Sequence, residues 1–192
     1  MAPKKSAAAA EAPLTARDWE TAALDAIAEQ GVAGVAVEPL ARKLGVTKGS
    51  FYWHFADREA LLDAALVHWE EIHTERVISG LSAVRDPRQR LVQLVGRALG
   101  GGRADRIHIA LATSSHPLVR RTLARVTHRR LNYLAHCYVD LGQLPREAQR
   151  SALLAYAVYV GLVHLRLEAP KELPASDAFA AYVDDLVAKL VP

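Results

Sequence analysis

The sequence predicts an all-α protein of about nine helices, and three features support this. Apolar residues make up 51% of the 192 residues, which is ample for a helical core. No segment alternates apolar and polar residues in the way that a half-buried strand does. The chain has only 9 prolines and 11 glycines, the residue types that most often interrupt helices.

The first helix is expected from Thr15, a favourable N-cap residue, to about residue 30. Trp19, Ala23 and Ile27 recur at four-residue spacing and form its apolar stripe. Gly31 then interrupts the chain.

Two short helices are predicted next, at about 37–44 and 48–54. Leu40, Ala41 and Leu44 share one apolar face of the earlier helix. Gly45 directly follows it, as is common at a helix C-terminus, and Thr47 suits the N-cap of the later helix.

The later of these two short helices has two distinct faces. Phe51 and Phe55, four positions apart, are expected to point inward. The other face carries Lys48, Tyr52, Trp53 and His54. Burying these four together, as in a helical hairpin within a core, would require many polar partners, so an exposed face is expected. Gly49 lets the backbone approach an anion closely at the helix N-terminus. Such a helix, turn and helix is the arrangement that places side chains in the DNA major groove.

Six further segments complete the predicted fold. Asp57 suits the N-cap of the fourth helix, and Leu62, Ala65 and Trp69 form its apolar stripe. Glycines and prolines separate the segments that follow. The predicted ranges are about 57–79, 87–99, 103–112, 116–141, 145–168 and 177–190.

The run from Leu44 to Phe55, LGVTKGSFYWHF, with Asp57, Glu59, Leu61 and Leu62 after it, resembles the DNA-binding domain of TetR-type regulators. The resemblance covers residues 14–80. It implies an N-terminal three-helix domain with a helix-turn-helix at 14–60, and a helical effector-binding and dimerisation domain at 61–192. Residues 1–13 are then a flexible arm, in which Lys4 and Lys5 could touch DNA nonspecifically.

The resemblance also implies which residues contact DNA. They are Thr47, Lys48, Gly49, Ser50, Tyr52, Trp53, His54 and Arg58. Tyr52 and His54 match positions that hold phosphates, and Arg58 stands where Lys commonly contacts phosphate from the start of the fourth helix. Trp53 replaces a common Tyr, and Val37 a frequent Thr, so hydroxyl contacts at these two positions are not expected.

Charge is unevenly distributed along the chain. Residues 1–80 hold eight basic and twelve acidic residues, so DNA affinity is expected to depend on a few placed phosphate contacts. Residues 85–130 hold eleven Arg and two acidic residues. This basic segment has three possible interpretations: a solvated helix surface, a site for an anionic ligand, or salt bridges to the acidic first and fourth helices. We favour the solvated surface with some interdomain pairing.

In the family, an effector cavity lies among the fourth to eighth helices. The candidate ligand-binding residues here are Trp69, His73, His108, Tyr133 and Cys137, with His116 and His136 as further possibilities. Trp69 and His73, one turn apart, would give an apolar wall with one polar group for a ligand. The alternative for each candidate is a place in the packed core. No two histidines lie four positions apart with an acid, so neither a metal site nor a cofactor is expected. Cys137 could be a redox sensor or a small packing residue.

The eighth helix is apolar nearly all round, which suits either a core helix or an interface. The resemblance favours a C2 homodimer built by the eighth and ninth helices, and so a near-palindromic operator. The expected interface residues are Ala152, Ala155, Tyr156, Tyr159 and Leu162.

Several other classes are not expected. The glycines at 100–102 have no preceding strand and no Lys-Ser/Thr after them, so they are not a phosphate loop of an enzyme. No charge-free apolar run reaches about 18 residues, and the N-terminus lacks the apolar core of a secretion signal. We therefore expect a cytoplasmic repressor, bound to operator DNA and released by a small-molecule effector. The alternative is an effector-free DNA-binding regulator controlled by a protein partner.

Overall fold

The computed structural model describes residues 14–192, apart from the side chains of Ser176 and Asp177. The predicted flexible arm, 1–13, lies outside the described residues. Within the described range the chain forms nine helices and no strand, so the predicted all-α fold is confirmed. The helices are α1 Ala16–Gln30, α2 Val37–Lys43, α3 Lys48–Tyr52, α4 at 58–81, α5 Pro87–Leu99, α6 Arg103–Ala112, α7 Pro117–Asp140, α8 Pro145–Glu168 and α9 Ser176–Leu190.

Helix α4 is continuous but not uniform. It consists of an α-helical part Arg58–Glu70, one π-helical turn Glu71–Glu75 and a final α-helical part Arg76–Leu81. The sequence did not predict the π-helical turn, nor the 3₁₀ turns Val32–Gly34 and Pro170–Glu172.

Local capping explains where several helices begin. The backbone N–H and the Oγ1 of Thr15 each lie 2.7 Å from Oδ2 of Asp18, which closes the first turn of α1. Asp57 Oδ1 accepts a 2.8 Å hydrogen bond from the backbone N–H of Ala60 and caps α4. Thr47 occupies the N-cap position of α3, but its side chain makes no capping hydrogen bond.

The turn between α2 and α3 depends on Gly45. Its φ is +70°, a conformation in which a side chain would be strained. Its N–H donates a hydrogen bond to the carbonyl of Arg42 at 3.2 Å. The N–H of Val46 donates to the carbonyl of Ala41 at 3.0 Å. These two bonds satisfy the end of α2 and set the direction in which α3 leaves the turn.

Two hydrophobic clusters hold the helices together. The first joins α1–α4 to α6 and the early part of α7. At its centre Trp19 packs edge-on against Phe51, with ring centroids 5.3 Å apart, and Phe51 stacks on Phe55 at 5.7 Å. Both phenylalanines are buried, as predicted.

The second cluster joins α5, the later part of α7, α8 and α9. Here the buried Tyr138 hydroxyl donates a 2.7 Å hydrogen bond to the carbonyl of Leu190, near the end of α9. The C-terminal helix is thereby fixed against α7.

Salt bridges connect the basic segment 85–130 to the first and fourth helices. Arg125 pairs with Glu70 of α4, Arg129 pairs with Glu75 at 2.9 Å, and Arg103 of α6 pairs with Asp25 of α1. For these three arginines, the interpretation as salt bridges to the acidic first and fourth helices therefore holds. Exposed pairs contribute little stability singly, but together they orient α6 and α7 against the N-terminal helices.

Candidate DNA-binding surface and effector cavity

The outer face of the helix-turn-helix presents large side chains to solvent. Trp53 is 88% exposed and Tyr52 is 58% exposed. Thr47, Lys48 and Gly49 are also exposed, whereas Ser50 and His54 are half-buried. Two aromatic rings left in water beside a cation form a surface suited to a macromolecular partner.

Lys48 already has an acidic partner on this surface. Its Nζ lies 3.1 Å from Oε1 of Glu38 in α2, and both side chains are exposed. The hydrogen bond and charge of Glu38 raise the pKa of Lys48. Because an exposed pair is weak, a DNA phosphate can replace Glu38 as the partner of Lys48.

Arg58 is placed differently from what the resemblance implied. Its Nε donates to the carbonyl of Val35 at 2.7 Å and its Nη2 to that of Val32 at 2.9 Å, while Nη1 pairs with Glu59. The guanidinium thus closes the 3₁₀ turn between α1 and α2. In this structure the Arg58 side chain holds the backbone, and its phosphate contact stays a prediction.

A cavity of about 180 Å³ lies among helices α4–α8. Four of the five predicted ligand-binding residues line it together: Trp69, His73, His108 and Tyr133. Their rings make the wall largely aromatic; the centroids of Trp69 and His108, for example, are 6.4 Å apart. These residues come from three different helices, so the cavity exists only in the folded chain.

The remaining candidates lie elsewhere. Cys137 is buried in the second cluster and does not line the cavity, and burial raises the pKa of its thiol. His116 Nε2 lies 3.3 Å from Oε2 of Glu59. His136 is exposed, with its ring 2.6 Å from the carbonyl of Asn132. The structure therefore gives Cys137 a packing position rather than a ligand-contacting one.

The five residues predicted for the dimer interface all lie on the inner side of α8. Ala155, Tyr156 and Tyr159 line the cavity, and Ala152 and Leu162 are buried in the second cluster. Ala152, Ala155 and Leu162 are buried within the subunit, and Tyr156 and Tyr159 are half-buried. Their role at a dimer interface stays a prediction. Because α8 is apolar nearly all round, its sequence pattern did not distinguish the two sides.

Four polar residues of the cavity wall were missed from the sequence: Thr74, Arg97, Asp105 and Arg130. Arg130 Nε donates to Thr74 Oγ1 at 2.9 Å, and its guanidinium carbon lies 5.3 Å above the Trp69 ring. The π-helical turn of α4 contains both His73 and Thr74. One sequence feature could have indicated Arg130: it belongs to the basic segment 85–130, for which a site for an anionic ligand was one interpretation.

Burial disfavours the charged form of both imidazoles of the wall. Burial, followed by the charges of Arg130 and His164, lowers the pKa of His108 to about 4. Burial and then the charge of Arg130 lower the pKa of His73 as well. Charge in the wall therefore comes from arginine and aspartate side chains and not from histidine.

Two further features bear on what the chain can bind. Among residues 14–192, no three His, Cys, Asp or Glu side chains are grouped as a metal site. Helix α8 is long and apolar enough to cross a membrane by length and composition, although the sequence led us to expect no such segment. Only 22% of its most apolar window is buried, which leaves an apolar surface on this helix. A helix of this kind is weak evidence for a membrane span, since core helices pass the same test.

The fold and the helix-turn-helix together define a DNA-binding transcriptional regulator. The family model of bacterial regulatory proteins of the tetR family matches residues 21–65. HTH-type transcriptional regulator BetI of Pseudomonas paraeruginosa is 30% identical over 152 residues, which span 76% of this chain and 77% of that protein. The chain belongs to the TetR family of transcriptional regulators.

The other similarities differ in extent. A class A tetracycline repressor from Escherichia coli is 47% identical over 57 residues, but the match spans only 29% of this chain and 26% of the repressor. The crystal structure of the transcriptional regulator FadR from Bacillus subtilis, in complex with stearoyl-CoA, superposes with a TM-score of 0.71 at 15% identity. That superposition covers 92% of this chain and 98% of FadR, so the shared fold extends well beyond the DNA-binding part.

Proposed function

We propose that this protein is a cytoplasmic repressor that binds a near-palindromic operator as a homodimer and is released by a small-molecule effector. The proposed domains are a DNA-binding part at 14–60 and an effector-binding and dimerisation part at 61–192. The supporting observation is the course of α4. It begins at Arg58, beside the helix-turn-helix, and carries Trp69, His73 and Thr74 in the cavity wall.

The homodimer would use the outer side of α8. Leu154 and Leu165 are 59% and 43% exposed, and Ala157 and Gly161 lie exposed between them. Small residues flanked by leucines let two helices approach closely and bury the leucines. Two such subunits would present their α3 helices to successive major grooves.

Effector release would be a population shift. An effector that fills the cavity better in one position of α4 favours that position. Movement of α4 displaces α1, which packs against it, and the 3₁₀ turn that Arg58 holds, and the helix-turn-helix moves with them. The two DNA-binding heads then no longer match the spacing of the half-sites. FadR, which has this fold, was crystallised with stearoyl-CoA, and that complex is a precedent for ligand binding.

Selection from a random duplex library tests the operator claim. The purified protein should recover a palindrome whose half-sites are about one helical turn apart. Recovery of nothing above nonspecific binding would contradict it. The effector claim is tested separately, since a saturating effector must weaken binding to the recovered operator.

A further inference from the structure

The cavity wall carries an excess of positive charge. Among the described residues that line it, the cations are Arg97 and Arg130 and the sole acid is Asp105. Arg97 is exposed at the rim, whereas Arg130 is partly buried. Arg130 is therefore the cation most relevant to a molecule enclosed in the cavity.

Arg130 has only neutral partners among the described residues. Its Nε donates to Thr74 Oγ1 at 2.9 Å and its Nη2 to the backbone carbonyl of His73 at 3.1 Å. The hydroxyl of Tyr159, whose pKa burial raises, lies close to it as well. By contrast, Arg125 and Arg129 on the same helix each pair with a glutamate of α4. A partly buried guanidinium without an anion retains most of its capacity to bind one.

The carboxylate of Asp105 does not neutralise Arg130. Its Oδ2 lies 2.6 Å from Nη1 of Arg166, and both side chains of that pair are largely buried. Asp105 is thereby occupied, and a cationic ligand would find no free carboxylate in the wall. The face of Trp69, which could otherwise attract a cation, already lies under Arg130.

The rest of the cavity suits a small aromatic body. Its volume is about 180 Å³, and a cavity of about 150 Å³ accommodates benzene. Tyr159 lies between two other rings of the wall, with centroids 5.6 Å from His108 and 5.8 Å from Tyr156. Nε1 of Trp69 and Nδ1 of His108 are buried without a hydrogen-bond partner, so unused hydrogen-bonding capacity lies in the wall.

We infer that the cavity binds an anionic aromatic effector, a carboxylate with a single ring, whose carboxylate pairs with Arg130 and whose ring packs among Trp69, His108 and Tyr159. This inference deepens the proposed function and rests on its effector cavity. It names the chemical class of the ligand and the residue that selects the charge.

Matched probes of equal shape test the inference on the full-length protein without DNA. Isothermal titration calorimetry compares benzoate with benzamide, and phenylacetate with phenylacetamide; benzamidine is the cationic probe. Each carboxylate should bind about tenfold or more tightly than its amide, because it gains a charge-assisted pair with Arg130. Benzamidine should bind more weakly than benzamide.

Variants of neighbouring arginines localise the effect. Arg130→Gln should abolish the preference for carboxylate over amide while amide binding persists. Arg129→Gln, which removes the exposed partner of Glu75 outside the cavity, should leave the preference intact. Arg130→Lys retains the charge, so it should keep part of the preference even if the glutamine variant proves poorly folded.

Equal binding of carboxylates and amides, tighter binding of benzamidine, or a preference that survives Arg130→Gln would overturn the inference. A folded, operator-binding protein that binds none of the carboxylates would also count against it. In any of these cases, operator release by a neutral ligand would leave the proposed function standing. Conversely, a carboxylate that binds through Arg130 without weakening operator binding would support the inference and contradict the effector claim.

Discussion

Lys48 and Arg58 were both predicted to contact DNA, but the structure gives them different surroundings. Lys48 is exposed and pairs with the exposed Glu38 across the two short helices. Arg58 is bound to the carbonyls of Val32 and Val35. At the scale of single residues, two side chains of equal charge therefore have different expected effects. A change at the Lys48 pair should alter operator binding, and a change at Arg58 should alter stability.

Replacing Glu38 with Gln should strengthen operator binding. The change frees Lys48 for phosphate and removes a negative charge that would lie near the DNA. At low salt the gain should be roughly two- to fivefold, and it should shrink as salt is added. Fluorescence anisotropy at several salt concentrations measures it, with Glu172→Gln, far from this surface, as the control. Unchanged affinity would mean that Lys48 does not exchange partners.

Replacing Arg58 with Lys should destabilise the fold. Lysine cannot make both hydrogen bonds to the 3₁₀ turn, so the free energy of unfolding should fall by about 1–3 kcal/mol. Urea denaturation measures this. The matched control is Glu59→Gln, which weakens the pairs of Glu59 with Arg58 and His116 but leaves both hydrogen bonds of Arg58 to the 3₁₀ turn. A variant with full stability and weaker operator binding would instead assign Arg58 to phosphate.

His108 should make stability depend on pH. Its pKa is about 4 in the folded chain against 6.5 for the free side chain, so between these values the unfolded chain binds the extra proton. The neutral His108 contributes fully to the free energy of unfolding above about pH 7. As the pH falls toward 4, the free energy of unfolding decreases by about 3 kcal/mol. The difference in unfolding free energy between pH 7 and pH 4 should shrink in His108→Gln but not in the exposed His128→Gln. Parallel pH curves for the wild type and His108→Gln would contradict this.

At the scale of elements, one turn links three helices. Between α5 and α6, Gly101 has a φ of +81°, and a Cβ there would lie 2.8 Å from the guanidinium carbon of Arg166. Arg166, on α8, bonds to the carbonyl of Leu99 and to Asp105. Glycine suits position 101 because its φ lies in the left-handed region and because the Arg166 guanidinium lies directly against the backbone there.

Gly101→Ala should therefore release this link. The strained φ and the displaced Arg166 together should cost roughly 2–4 kcal/mol of unfolding free energy. Gly96→Ala, within α5 and with open space around it, should be neutral or stabilising by up to about 1 kcal/mol. Thermal or chemical unfolding of both variants makes the comparison, and equal stabilities would exclude a structural role for the link.

At the scale of the whole molecule, the two clusters share helix α7, and α8 has one buried and one exposed side. The exposed leucines of α8 belong to neither cluster within the subunit. Removing these side chains from water against a second copy would be favourable. The side of α8 to be tested therefore differs from the one predicted from the sequence, which carries Ala152, Ala155, Tyr156, Tyr159 and Leu162.

Leu154→Glu should convert the proposed dimer to a monomer, because it places a charge in the centre of the apolar side of α8. Sedimentation velocity measures the change. Val67→Glu, at an exposed apolar position of α4 that is 54% accessible, should leave the dimer intact. Tyr156→Glu should instead disturb the cavity, where Tyr156 hydrogen-bonds to Thr127 at 3.2 Å. A dimeric Leu154→Glu variant would place the interface elsewhere.

The sequence by itself determined the helices, most of their ends and the inward positions of Phe51 and Phe55. Caps, glycine turns and apolar periodicity act within about four residues, so they can be recognised without the fold. Four of the five predicted ligand-binding residues also fell on one cavity, since aromatic and polar residues on the facing sides of adjacent helices converge.

Only the tertiary structure decided which side of α8 is buried, where the Arg58 guanidinium points, and that Arg130 lacks an anionic partner. The Arg58 bonds span 23 and 26 positions, and the Arg130 bonds span 56 and 57. Contacts at such separations depend on how whole helices pack, and local sequence pattern does not specify them. The distinction between a solvated arginine and a ligand-binding one therefore arises only when the helices come together.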